Sequence, residues 1–140
     1  MLEDLGKIII NWCEPKGFHL LDPVPESPGG ASERHGSWDW TFCKKGGALK
    51  RFVSVALTSQ PEFVGAPSAS LYLVEVWAGA DDDDRYIRRL TSEFQTSESE
   101  IGRQVVQGKL REGLQYAMAV AERLTSADLS ESHLRPRATP

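Results

Sequence analysis

"WDWTFCKKGGALKRFVSVALT", Trp38 to Thr58, decides the fold. Trp38, Trp40 and Phe42 alternate with Asp39, Thr41 and Cys43. After "KKGGAL", Leu49, Arg51, Val53, Val55 and Leu57 alternate with Lys50, Phe52, Ser54, Ala56 and Thr58. A period of two sends successive side chains to opposite faces of a strand. The glycines between the runs are those a tight turn requires. The stretch therefore predicts an antiparallel hairpin with one strongly apolar face.

Working outward towards the C-terminus, "QPEFVGAPS" reads as a loop and "ASLYLVEVWAG" as a strand. That strand is apolar on both faces except at Glu75, which predicts a central position in a sheet. A more polar strand from Tyr86 to about Gln95 is expected at the edge, where Arg85, Arg88 and Arg89 would discourage edge-to-edge pairing. Ser97 and Glu100 then have the spacing of a helix-capping box. Val106, Leu110, Leu114, Ala117, Met118, Ala121 and Leu124 make one helical stripe. Gly113, Ala117 and Ala121 add a smooth line where something could pack closely.

Towards the N-terminus, Leu2, Leu5, Ile8, Ile9, Trp12 and Cys13 form the apolar face of a helix that Pro15 and Gly17 stop. "FHLL", Phe18 to Leu21, reads as a short strand. "DPVPESPGGASERHGS", Asp22 to Ser37, reads as a long flexible loop because its Pro, Gly and Ser content opposes both helix and sheet. The expected fold is α+β: an N-terminal helix, an antiparallel meander of four to five strands, and a long C-terminal helix, with both helices on one sheet face. One domain is expected over residues 1–126, followed by a frayed tail over 127–140.

The chain has 140 residues, enough for a core without metal or disulfide staples. Its net charge is −4, which disfavours nucleic acid or an anionic membrane as the main partner. No apolar run reaches the roughly 20 residues of a membrane span, and "MLEDLGKIIINW" makes a poor signal peptide. A cytoplasmic setting is expected, in which Cys13 and Cys43 stay reduced and buried. The helix–strands–helix order resembles that of double-stranded RNA-binding domains, a resemblance that the charge of the last helix rejects. Those domains need basic residues at the start of the last helix, where this chain has the acidic "SESEIGRQ".

Four aspartates, Asp81 to Asp84, stand between Trp77 and Tyr86. A calcium loop needs glycine at its sixth position and glutamate at its twelfth; from Asp81 those positions are Tyr86 and Ser92. The run is therefore read as a turn, since aspartate side chains bond nearby backbone N–H groups. In a meander alternate turns share one end of the sheet. Lys44, Lys45, Lys50 and Arg51 are thus expected near Asp81, Asp82, Asp83 and Asp84. Arg85 and Arg88 join them as candidate partner-binding residues of a bipolar tip.

No zinc-type histidine spacing, phosphate-binding glycine loop or G-x-S-x-G motif occurs, so neither metal nor cofactor is expected. A Cys13–His19 or Cys43–His35 catalytic pair is conceivable, but the sequence offers no oriented third group or oxyanion feature. His19 is expected to be half-buried. Trp38, Trp40, Tyr72 and Trp77 are read as core rather than as a base-stacking platform. The reading that results is a non-catalytic protein-binding module: an immunity protein, chaperone, adaptor or defence-system accessory subunit. Another protein is its partner, or a second copy meeting it through the last strand or the smooth helix line. The alternative is a small-ligand binder or enzyme with its site between the sheet and the loop 22–37.

Overall fold

A computed structural model of the chain describes residues 2–21, 32–34, 37–59, 71–97 and 99–130. Helix α1 spans Leu2–Cys13 and runs into a 3-10 turn at Glu14–Lys16, closed by Gly17 in the left-handed region at φ +86°. Strands follow as β1 (His19–Leu20), β2 (Ser32–Arg34), β3 (Ser37–Gly46), β4 (Leu49–Ser59), β5 (Leu71–Asp81) and β6 (Tyr86–Ser97). Helix α2 (Gln104–Arg123) and the short α3 (Ser126–Ser130) complete the order. All pairings are antiparallel in the order β1-β3-β4-β5-β6, and β2 also pairs with β3.

The period-two reading holds along the central strands. Phe42, Val53 and Ala78 share one row of the sheet, and Trp40, Val55 and Val76 share the next. All six are buried under the helices, with Leu5, Ile9 and Cys13 of α1 and Leu110, Leu114, Ala117 and Met118 of α2. The β3–β4 turn is Gly47–Ala48; Gly47 has φ +69° at the first central position, as in a type II′ hairpin. β5 pairs with β4 from Tyr72 to Asp81 and with β6 from Leu71 to Asp81, the central position its apolar composition predicts.

Several expectations need correction. Within the expected loop 22–37, Ser32–Arg34 is a strand added to the outer edge of β3 through the backbone; residues 22–31, 35 and 36 lie outside the described residues, as do the expected loop 60–68 and residues 69 and 70 of the strand expected after it. The capping box does not form. Ser97 ends β6, residues 99–102 make turns that bury Ile101, and α2 begins at Gln104 with no side-chain cap among the described residues. The chain beyond Ala127 is not frayed at once. Thr125 and Asp128 cap α3, with the Thr125 N–H donating to Asp128 Oδ2 at 2.7 Å, and Leu129 is fully buried. Residues 131–140 lie outside the described residues.

The smooth line Gly113, Ala117 and Ala121 is buried against the sheet and not open to a second chain. At Gly113 the close approach is tight: a Cβ there would lie 2.7 Å from Ser92 Oγ and 3.5 Å from Val76 Cγ2. No described helix is long and apolar enough to cross a membrane.

Candidate functional site

Neighbours in a strand face opposite ways, and this divides the expected tip. Lys44 and Arg51 are in phase with Phe42 and Val53, so they lie on the helix-covered face. Arg51 Nη1 donates to the carbonyls of Ala121 and Leu124, which end α2, and Lys44 Nζ donates to Glu122 Oε1. Both cations therefore hold the C-terminal end of α2, where carbonyls lack helical partners. Lys45, Lys50 and Asp81 share a row on the other face.

The two turns do meet at one end of the sheet: Lys50 pairs with Asp81 and its Nζ lies 3.5 Å from Asp83 Oδ1. The aspartates do different work. Asp82 Oδ1 accepts from the backbone N–H of Asp84 at 3.2 Å and of Arg85 at 2.9 Å; Oδ2 accepts from Arg85 Nη2 at 2.8 Å. The Arg85 side-chain bond, then its backbone N–H, hold the Asp82 carboxyl below its ordinary pKa. Asp83 and Asp84 are exposed, and Asp83 takes the left-handed φ of +81° that the turn demands. Asp82 and Arg85 thus build the turn, while Lys45, Lys50, Asp83 and Asp84 remain at its surface.

A larger feature occupies the sheet face away from the helices. Phe52, Gly79 and Arg88 share one row; Thr41, Ser54, Trp77 and Leu90 share the next. Between them lies a half-open groove of about 530 Å³, with Phe52, Trp77 and Tyr86 as aromatic walls and Gly79 in its floor. The Arg88 guanidinium stacks 4.0 Å from the Trp77 ring centre. Asp39 lines one end of the groove and Asp81, only 8% exposed, the other. Ser54, 9% exposed, lies in the lining between them.

A bulge in β6 makes this arrangement. Val76 pairs with Ser92 but Trp77 pairs with Leu90, so Thr91 is the extra residue; its Oγ1 donates to the Val76 carbonyl at 3.0 Å. The bulge reconciles Ile87 and Phe94, which have opposite parity yet both pack on the helical side. It also brings Tyr86, Arg88 and Leu90 to the open face beside Trp77. At Gly79 a Cβ would lie 2.6 Å from the Ile87 carbonyl oxygen, so glycine permits the close approach of β5 to β6.

The core reading holds for Trp40, which is fully buried, and for Trp38 and Tyr72, which pack against the core. Trp77 is the exception, because it stands on the open face. Burial pushes the Cys13 thiol up to about 12 and raises that of Cys43, so neither is a ready thiolate. His19 is exposed, not half-buried, and lies 2.7 Å from Glu14; His35 is outside the described residues. No group of three or more metal-ligating side chains occurs among the described residues. Compared with protein-family models, curated proteins and solved structures, the chain matches none.

Proposed function

We propose that this chain is a non-catalytic protein-binding module that docks its partner on the open face of the sheet. The observation that carries the reading is the groove between Phe52, Trp77 and Tyr86, on the side of the sheet that no described helix covers. Soluble domains bury most large aromatic surface, and aromatic residues anchor interfaces. Adaptors, chaperones, immunity proteins and accessory subunits all require such a surface. Two free, buried thiols accord with a cytoplasmic setting.

Aromatic residues on a sheet can also stack nucleobases. Here Asp39, Glu75 and Glu93 lie in one row beside the groove, and Asp81 lines its far end. Carboxylates in those places repel phosphate, which favours protein over nucleic acid. The test is affinity capture from the native host with three baits: wild type, Trp77→Ala, and Glu112→Ala on the outer face of α2. A partner held by wild type and Glu112→Ala but lost by Trp77→Ala is the expected result. A partner retained by Trp77→Ala and lost by Glu112→Ala would overturn the reading.

One observation favours a small-ligand site as a second reading. The groove volume falls within the range of about 300–1,000 Å³ usual for small-molecule pockets, with the largely buried Ser54 and Asp81 in its lining. That site lies over the sheet itself; of the loop 22–37 expected to border it, residues 22–31, 35 and 36 are outside the described residues. Melting shifts across a metabolite panel, abolished by Ser54→Leu, would support it.

A further inference from the structure

We infer that the open face reads a partner segment carrying an aromatic side chain two residues from an arginine or lysine. The inference rests on the docking reading above and adds the chemistry of the partner. Three observations carry it. The groove offers the walls for an aromatic ring, and Arg88 already shows that the Trp77 face accepts a flat cation. Ser54, a residue only 9% exposed, lines the groove beside Trp77 and offers a hydroxyl to a ligand donor or acceptor there.

The third observation is charge. Glu75 and Glu93 face each other directly across β5 and β6 on the open side. Neither has an ion-pair or hydrogen-bond partner among the described residues. Like charges directly opposite on a sheet destabilise it. A cation from outside relieves that repulsion. Ala56 separates Asp39 from Glu75 in the same row, and its small side chain leaves room for a long basic side chain to lie there.

Geometry fixes the spacing. Trp77 and Glu75 are same-face neighbours on β5, about 7 Å apart at the rise of a strand. An extended partner segment lying along β5 presents its own alternate residues at the same repeat. Aromatic–x–basic, in either direction, therefore matches the groove and the glutamates at once.

The test selects random dodecapeptides displayed on phage against the full chain, with counter-selection on Trp77→Ala and, separately, on the groove-filling Ser54→Leu. The expected peptides carry an aromatic residue two positions from Arg or Lys. Their binding falls at least tenfold on Glu75→Gln/Glu93→Gln at low salt, and the difference shrinks as salt rises. Peptides that need Trp77 and Ser54 but bind Glu75→Gln/Glu93→Gln as tightly as wild type overturn the charge inference and leave the docking reading standing. Failure to select any peptide that distinguishes wild type from both groove variants overturns both.

Discussion

Gly113 and Ser92 form a coupled pair whose energetics can be worked from the structure. Gly113 sits inside α2, where glycine costs about 1 kcal/mol relative to alanine. Alanine alone would place its Cβ 2.7 Å from Ser92 Oγ, well inside contact distance. Overpacking of that kind costs about 1–3 kcal/mol, so Gly113→Ala is expected to be neutral to destabilising by about 2 kcal/mol. Ser92 Oγ is buried without a hydrogen-bond partner among the described residues. Ser92→Ala removes that unmet group and is expected to gain about 1 kcal/mol. It also removes the clash: the remaining neighbours of the new Cβ are Val76 Cγ2 at 3.5 Å and Ser92 Cβ at 3.9 Å, both ordinary contacts. The double variant should therefore gain about 2 kcal/mol, or roughly 6 °C in Tm for a domain of this size. Urea unfolding of the four proteins measures the cycle, with an expected coupling of at least about 1 kcal/mol. Gly113→Ala having the same effect in both backgrounds, within about 0.5 kcal/mol, would refute the packing argument.

Gly79→Ala places a Cβ 2.6 Å from the Ile87 carbonyl oxygen, a backbone atom that cannot swing aside, and should cost about 2–3 kcal/mol in urea unfolding. Arg51→Met removes the charged donor at the Ala121 and Leu124 carbonyls and should cost about 2 kcal/mol; Arg51→Lys should restore less than half, because an ammonium lacks the planar fork. Asp82 has its pKa lowered from 3.8 in the fold, so its stabilising effect is present above that value and is lost as pH falls through the folded one. The stability gap between wild type and Asp82→Asn should accordingly be widest near neutrality and close in acid, as thermal melts across pH would record.

How much of this is legible in sequence depends on which interactions carry each element. α1, the β3–β4 hairpin and the α2 stripe are held by side chains that repeat at 3.6 or 2 residues, so periodicity marks them, and β5 is marked by its continuous apolar run. β2 is held by backbone pairing of "SER" to the edge of β3, and none of its residue types announces a strand. The S-x-x-E spacing at Ser97 is a true turn signal that the chain spends ending β6, because Ile101 needs the core before the helix can begin. The cap that does form, T-x-x-D at Thr125, starts a helix of only five residues. A segment that short has too few turns to show a period.

The site is less legible because it belongs to the register and not to any one strand. Even so, the alternation already divides the tip. Arg51 is in phase with Leu49, Val53 and Val55, which assigns it to the helical side, while Lys50 falls in phase with Phe52 and Ser54. The groove itself needs two further facts that no local pattern supplies. One is the bulge at Thr91, which shifts β6 by one residue and turns Arg88 over Trp77. The other is which residues stand beside one another across four strands, so that a glycine and a serine, unremarkable within their own strands, sit next to Phe52 and Trp77 and leave a hollow between them. The same register puts Glu75 opposite Glu93. A fold optimised only for its own stability has no use for that repulsion, since glutamine would serve as well on a half-exposed face. A surface that must attract a cation does have a use for it, and this is why Glu75 and Glu93 matter more to the reading of this face than the four consecutive aspartates at its tip.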